Sequence, residues 1–141
     1  MNWIAEFRRI SYLEVLVAAI SSFALGLGWY HWDVFGKSWA GLLGLTKAEA
    51  DNTEGLGMTF VAAVVGSFLA ATFLSILMSA TATDGLLKGA LFGALTGVAL
   101  RLTSLLYHNG FSRQPVELTM INGSYDIVQL AIIGAIVGFF L

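Results

Sequence analysis

The sequence predicts an all-α integral membrane protein: a bundle of four transmembrane helices with a short interfacial helix between the first and second. Two observations carry this. Hydrophobic residues make up 57% of the 141-residue chain and charged ones only 11%, less than half the share in a soluble domain, about 25%. The apolar residues also gather into four long runs divided by short polar breaks. Each run reaches the roughly 20 residues that a helix needs to cross a bilayer. A helix satisfies its own backbone in hydrocarbon, and the strand alternation of a barrel is absent. Four such helices fill the chain, which reads as one membrane domain over residues 1–141 with no room for a soluble one.

The spans are placed at about 10–32, 58–80, 85–107 and 116–141. The apolar run after Arg8-Arg9 is interrupted by Glu14, so it reads as a retained first helix and not as a cleaved signal peptide. The connection 33–57 opens with Phe35-Gly36-Lys37-Ser38-Trp39, short, apolar and aromatic, which suits a brief helix at the membrane interface. Thr46 and Glu49 have the spacing of a capping box. Thr81-Ala82-Thr83-Asp84 is a tight polar break, with Thr83 or Asp84 placed to cap the third helix. So short a loop makes the second and third helices antiparallel neighbours. Asn109-Gly110 is placed to end the third helix. Pro115 and Glu117 suit the first turn of the fourth.

Small residues predict how the helices pack. Gly85, Gly89, Gly93 and Gly97 recur every fourth residue and form one stripe on the third helix. Ala63, Ser67, Ala71, Ser75 and Ser79 do the same on the second. Helices in lipid associate by close backbone approach, which glycine permits best. The two stripes are expected to face each other across the hairpin, or the glycines to meet another subunit. Ala18, Ser22 and Gly26 on the first helix, and Gly134 and Gly138 on the fourth, complete a compact set.

Charges inside a span are costly, so each needs a partner or a task. Arg101 lies roughly 9 Å inside the third helix and Asp126 roughly 15 Å inside the fourth, measured from the same face. An arginine side chain bridges that difference, so the two are expected to pair. Glu14 and Lys88, each near the opposite face, form a second expected pair. Asn122, Tyr125, Asp126 and Gln129 share one face of the fourth helix, and Arg101, Ser104 and His108 form a row on the third. Together they outline a polar pocket. It serves either as an interhelical hydrogen-bond network or as a site for a small polar molecule, a lipid headgroup or a proton. Trp29, Tyr30, Trp32, Phe35 and Trp39 form an aromatic belt at one membrane face.

Several functions are set aside. Seven scattered Lys and Arg residues and a net charge of −2 offer no footprint for nucleic acid. There is no cysteine, which excludes disulfides and thiolate chemistry. Two separated histidines, His31 and His108, do not make a metal site. No serine, histidine and carboxylate share a recognisable catalytic spacing, and no phosphate-binding glycine loop is present. No cofactor is expected.

Gly28-Trp29-Tyr30, then Phe35-Gly36-Lys37-Ser38-Trp39, then Leu45-Thr46 resembles the signature of the DUF1761 family of small bacterial membrane proteins. Phe111-Ser112-Arg113-Gln114-Pro115-Val116-Glu117-Leu118, followed by Ile121-Asn122-Gly123-Ser124-Tyr125, resembles that family's last hairpin. The resemblance covers nearly the whole chain. It implies four spans, a bacterial inner (plasma) membrane location and a shared role for Trp29, Tyr30, Gly36, Lys37, Trp39, Asn122 and Tyr125. Members of that family often carry histidine where this chain has Asp126.

The reading favoured by the sequence is a non-enzymatic membrane protein that assembles with itself or with a larger membrane complex. One alternative is a small proton- or ion-coupled transporter or channel subunit using Glu14 or the Arg101–Asp126 region. Another is a lipid- or pigment-binding protein. Both termini are expected in the cytoplasm, because the Arg8-Arg9 pair precedes the first helix.

Overall fold

A computed structural model describes residues 10–141. Arg8 and Arg9, on which the orientation expectation rests, lie outside the described residues. Four helices are long and apolar enough to cross a membrane, at Tyr12–Trp29, Gly57–Ala80, Leu86–Phe111 and Val116–Phe140. The first is α1. A π-helical turn at Trp32–Gly36 leads into α2 (Lys37–Leu42), and α3 (Lys47–Asp51) comes after it. The second span is α4 (Gly57–Ala80). The third is α5 (Leu86–Thr96), a π-helical turn at Gly97–Leu102, and α6 (Thr103–Phe111). The fourth is α7 (Val116–Phe140). No strand occurs among the described residues. The chain is thus an all-helical, multi-pass membrane protein.

The third span packs on the fourth, not on the second. A Cβ added at Gly89 would overlap the carbonyl oxygen of Gly134, and one at Gly93 would overlap that of Leu130. A Cβ at Gly138 would lie 2.5 Å from the carbonyl oxygen of Gly85. The glycine stripe therefore lies against the backbone of α7, where Gly134 and Gly138 answer it. The sequence expectation that this stripe meets the second helix is corrected. The second span's small residues meet the first span instead. Ser67 Oγ lies 3.1 Å from Ser22 Oγ, Ser75 Oγ donates to Glu14 Oε1, and Ala18 and Ala71 are both fully buried. Short loops keep consecutive helices close, but complementary surfaces decide which of them pack.

Two helix ends also differ from expectation. Neither Thr83 nor Asp84 caps the third span. Gly85 does, at φ 88°, in a left-handed conformation that a side chain would strain, and its N–H donates to Gly138 O at 2.7 Å. Asp84 pairs with Lys88 one turn on, at 3.0 Å, both exposed. At the other end the helix runs past Asn109-Gly110 to Phe111, and Arg113 takes the left-handed position at φ 55°. The Asn109 amide is engaged elsewhere, donating to Thr119 Oγ1 at 3.0 Å. The capping box of α3 forms as its spacing suggests: Thr46 accepts from the Glu49 N–H, and Glu49 accepts from the Thr46 N–H.

The core is one-sided. Val15, Ala18, Ala71, Leu74, Met78, Leu130, Ile133 and Val137 form the buried cluster. They come from the half of the bundle nearest residues 10 and 141. In the other half, every residue of α4 from 57 to 66 is exposed. That stretch of the second span stands away from its neighbours, and the space behind it is a cavity.

Candidate functional site

The cavity, of about 740 Å³, lies between α1, the first half of α4 and α7. Phe23, Gly26 and Tyr30 come from the first span and its end. Thr59, Phe60, Ala63, Gly66 and Ser67 come from the second. Tyr125, Asp126 and Gln129 come from the fourth, Trp32 and Trp39 from the interfacial connection, and Arg101 alone from the third.

Arg101 and Asp126 form a bidentate pair. Nε donates to Oδ2 and Nη2 to Oδ1, each at 3.2 Å. The carboxylate is nearly buried, at 9% exposed, whereas the arginine side chain is 60% exposed. Their depths match better than the sequence suggested, because the third span ends at Phe111 and not near Tyr107. Arg101 stands ten residues before that end and Asp126 ten after Val116, so both lie roughly 15 Å in at about 1.5 Å per residue. The pair sits near the middle of the membrane.

The π-helical turn Gly97–Leu102 contains Arg101. Such single wide turns inside α-helices recur at functional sites. A widened turn rotates the residues beyond it relative to an unbroken α-helix. Ser104 and His108, which α-helical spacing aligns with Arg101, fall outside the cavity lining. His108 is exposed and stacks beside Tyr107, with ring centroids 4.4 Å apart. The polar row expected on the third span is therefore reduced to Arg101.

On the fourth span, Tyr125, Asp126 and Gln129 line the cavity together. Gln129 Nε2 donates to Ser22 Oγ at 2.5 Å, and Ser22 is also within hydrogen-bonding distance of Ser67. These two serines make a polar floor that the sequence showed only as members of small-residue stripes. Asn122 falls outside the cavity lining, and its Oδ1 accepts from Tyr30 Oη at 2.9 Å.

The aromatic residues form a folded cluster more than a flat belt. Trp29 stacks with Phe35 at 4.6 Å, and its indole N–H donates to Ile121 O at 3.3 Å. Tyr30 meets Trp39 edge-on at 5.7 Å and Tyr125 at 5.3 Å. Lys47 places its ammonium 5.5 Å from the Trp32 ring centre. Gly36 makes the fold-back possible, since a Cβ there would overlap Tyr30 O and lie 2.8 Å from His31 O. Lys37 is exposed.

Glu14 and Lys88 are not joined in an ion pair among the described residues. Lys88 pairs with Asp84, and Glu14, 2% exposed, accepts from Ser75. The third span leans on the fourth, which takes Lys88 away from α1. Outside the spans, two carboxyls are held below their ordinary values. Thr46 does this for Glu49 through its backbone and side-chain hydrogen bonds, and Lys88 does it for Asp84 through a hydrogen bond and its charge. Among the described residues no three His, Asp or Glu side chains gather as metal ligands.

The chain matches the profile of one protein family, described as "Protein of unknown function (DUF1761)", over residues 13–138. No curated protein and no solved structure shows a significant match to it.

Proposed function

We propose that this chain, which belongs to the DUF1761 family, is a non-enzymatic membrane protein that binds a lipid-like organic molecule in its cavity. One observation carries the reading. A guanidinium that is 60% exposed opens, near mid-membrane, into a space of about 740 Å³. An intramembrane charge is costly unless it has partners or a polar filling. The walls around it are mainly aromatic and aliphatic, as in small-molecule pockets generally. The carboxylate that lines its deep end, Asp126, is already engaged by Arg101 through two hydrogen bonds, which suits holding a molecule better than transforming one.

This changes the ranking that the sequence favoured. The glycine stripe is covered by α7 within one chain, so it offers no separate support for self-association. The transport alternative has less support. Glu14 and Ser75 lie two helical turns from Ser22 and Ser67, and Ala18, Ala71 and Leu74, all at most 1% exposed, stand between the two layers. Four spans return residue 141 to the side on which the first begins, and we place that side in the cytoplasm of a bacterial cell.

The test is native mass spectrometry of protein released gently from its own membranes. The expected result is an adduct of one organic molecule per chain, lost in Ala63→Trp, which fills the cavity from an exposed position. Bare protein mass, with no difference between wild type and Ala63→Trp, refutes the reading.

A further inference from the structure

Resting on that binding reading, we propose that the occupant is an uncharged amphiphile whose head carries an accepting oxygen, a carbonyl or hydroxyl group, and not an anionic lipid. The donors of Arg101 set the first constraint on the head. A guanidinium has five N–H groups in a rigid fork. Two of them, on Nε and Nη2, point to Asp126. Both N–H groups of Nη1 and the second of Nη2 meet no acceptor among the described residues. They lie on the exposed edge of a side chain that lines the cavity. A donor that faces hydrocarbon and not water is costly without an acceptor, so the complementary head is one that offers oxygen lone pairs.

Charge then narrows the head. Three charged residues line the cavity: Arg101, Asp126 and Asp51. Arg101 and Asp126 cancel each other through two hydrogen bonds. Asp51, near the mouth, is paired with Lys47 at 2.5 Å. The lining is therefore electrically balanced at both its deep and its shallow end. An anionic head drawn from the interface to mid-membrane would lose its hydration and gain no net counter-charge. A cationic head would find both Asp126 oxygens already accepting. A neutral carbonyl or hydroxyl gives up little hydration and accepts from the free edge of Arg101.

The remaining walls fit an apolar body. Tyr30, Trp39 and Phe60 present rings to the space, and Ala63 and Gly66 leave it wide on the side of the second span. That side is bounded by the stretch of α4 in which every residue from 57 to 66 is exposed. A hydrocarbon tail has its way out to the bilayer there, past a stretch of helix that touches the first span through Phe60 against Phe23, at 6.5 Å between ring centres, and is otherwise open.

The experiment uses the full chain in nanodiscs of zwitterionic lipid. Two probes with the same brominated acyl chain are titrated, a monoacylglycerol and a lysophosphatidic acid, and tryptophan quenching is read. The expected result is saturable quenching by the monoacylglycerol, with a Kd at least tenfold below that of the anionic probe. The doubly neutral variant Arg101→Gln with Asp126→Asn should weaken the monoacylglycerol fivefold or more and leave the anionic probe unchanged. Equal or tighter binding of the lysophosphatidic acid overturns the uncharged head and leaves cavity binding standing. Non-saturable quenching by both probes overturns cavity binding as well. Should the double variant fail to fold, the two-probe comparison on the wild type decides alone.

Discussion

Replacing Gly93 by alanine tests the seam between the third and fourth spans. A Cβ there would overlap Leu130 O, lie 2.6 Å from the same carbonyl carbon and 3.1 Å from Ala131 Cα. All three atoms belong to backbone, so no rotamer change relieves the clash, and the two helices must part. Overpacking costs about 1–3 kcal/mol, and an obstacle made of backbone belongs at the upper end. Against this, alanine favours a helix over glycine by about 1 kcal/mol. The net expectation is a loss of about 2 kcal/mol. Gly66→Ala is the control, because it lies inside α4 with nothing within 4 Å of an added Cβ. Only the propensity gain of about 1 kcal/mol remains there. The same chemical change should thus act with opposite sign at two glycines, separated by about 3 kcal/mol, or roughly a hundredfold in the unfolding constant. Reversible unfolding by a denaturing detergent in mixed micelles, monitored by circular dichroism, reads both. If Gly93→Ala is as stable as Gly66→Ala, the close seam does not exist and the packing argument falls.

Three further outcomes are expected. Asp126→Ala should lose about 1–2 kcal/mol, less than a fully buried pair because Arg101 is 60% exposed; adding Arg101→Ala should recover part of it, and strictly additive losses in that double-mutant cycle would remove the pair from the account. Gly36→Ala should open the fold-back at Tyr30 and His31 at a cost of about 2 kcal/mol, seen as loss of near-ultraviolet dichroism from the Trp29–Phe35 and Tyr30–Trp39 contacts. Glu49 supplies a pH dependence. Its folded-state pKa lies below the ordinary 4.5, so its contribution is complete above that value and is lost as the pH falls through the lower folded one. Lys47, the first residue of α3, sits over Trp32, so in a His31→Gln background, which removes the imidazole next to Trp32 in the chain, the emission of Trp32 should change as the pH falls below 4.5. Thr46→Val should move that change upward, and an unmoved midpoint would mean that the cap does not set it.

The four spans were legible because crossing a membrane demands long apolar runs that few other structures need. The Arg101–Asp126 pair was legible for a related reason: two charges in hydrocarbon at similar depth leave few other arrangements. Partner choice among the helices was not. The stripes on the second and third spans share one spacing, and nothing in either tells whether its complement lies on the next helix or the one after. The answer lay in Gly134 and Gly138, whose separation of four matches the third span's stripe, a signal that the sequence held but the short hairpin loop outweighed. The π-helical turn had no such signal. Gly97 and Arg101 continue the four-residue spacing, and only the packed backbone shows that the turn between them is wide.

The cavity arises from how unevenly the close-packing residues are placed. Gly85, Gly89 and Gly93 join the third span to Gly134 and Gly138 at one end of α7. Glu14, Ala18, Ala71 and Ser75 join the first two spans at the same end of the bundle. Past Ser22 and Ser67 the small residues of α4 continue, with Ala62, Ala63 and Gly66, yet nothing packs on them and all are exposed. Opposite them stand Tyr125 and Gln129 with the Arg101–Asp126 pair, and Tyr30 and Trp39 close the rim. Bulky, polar side chains on one wall and small ones on the other leave a space that the bundle's own side chains do not fill. A helix pair built for contact would have matched small against small, as α5 and α7 do. The mismatch at this end keeps room beside the guanidinium edge that Asp126 leaves without an acceptor, which is the physical reason for seeking an occupant here before seeking a partner protein.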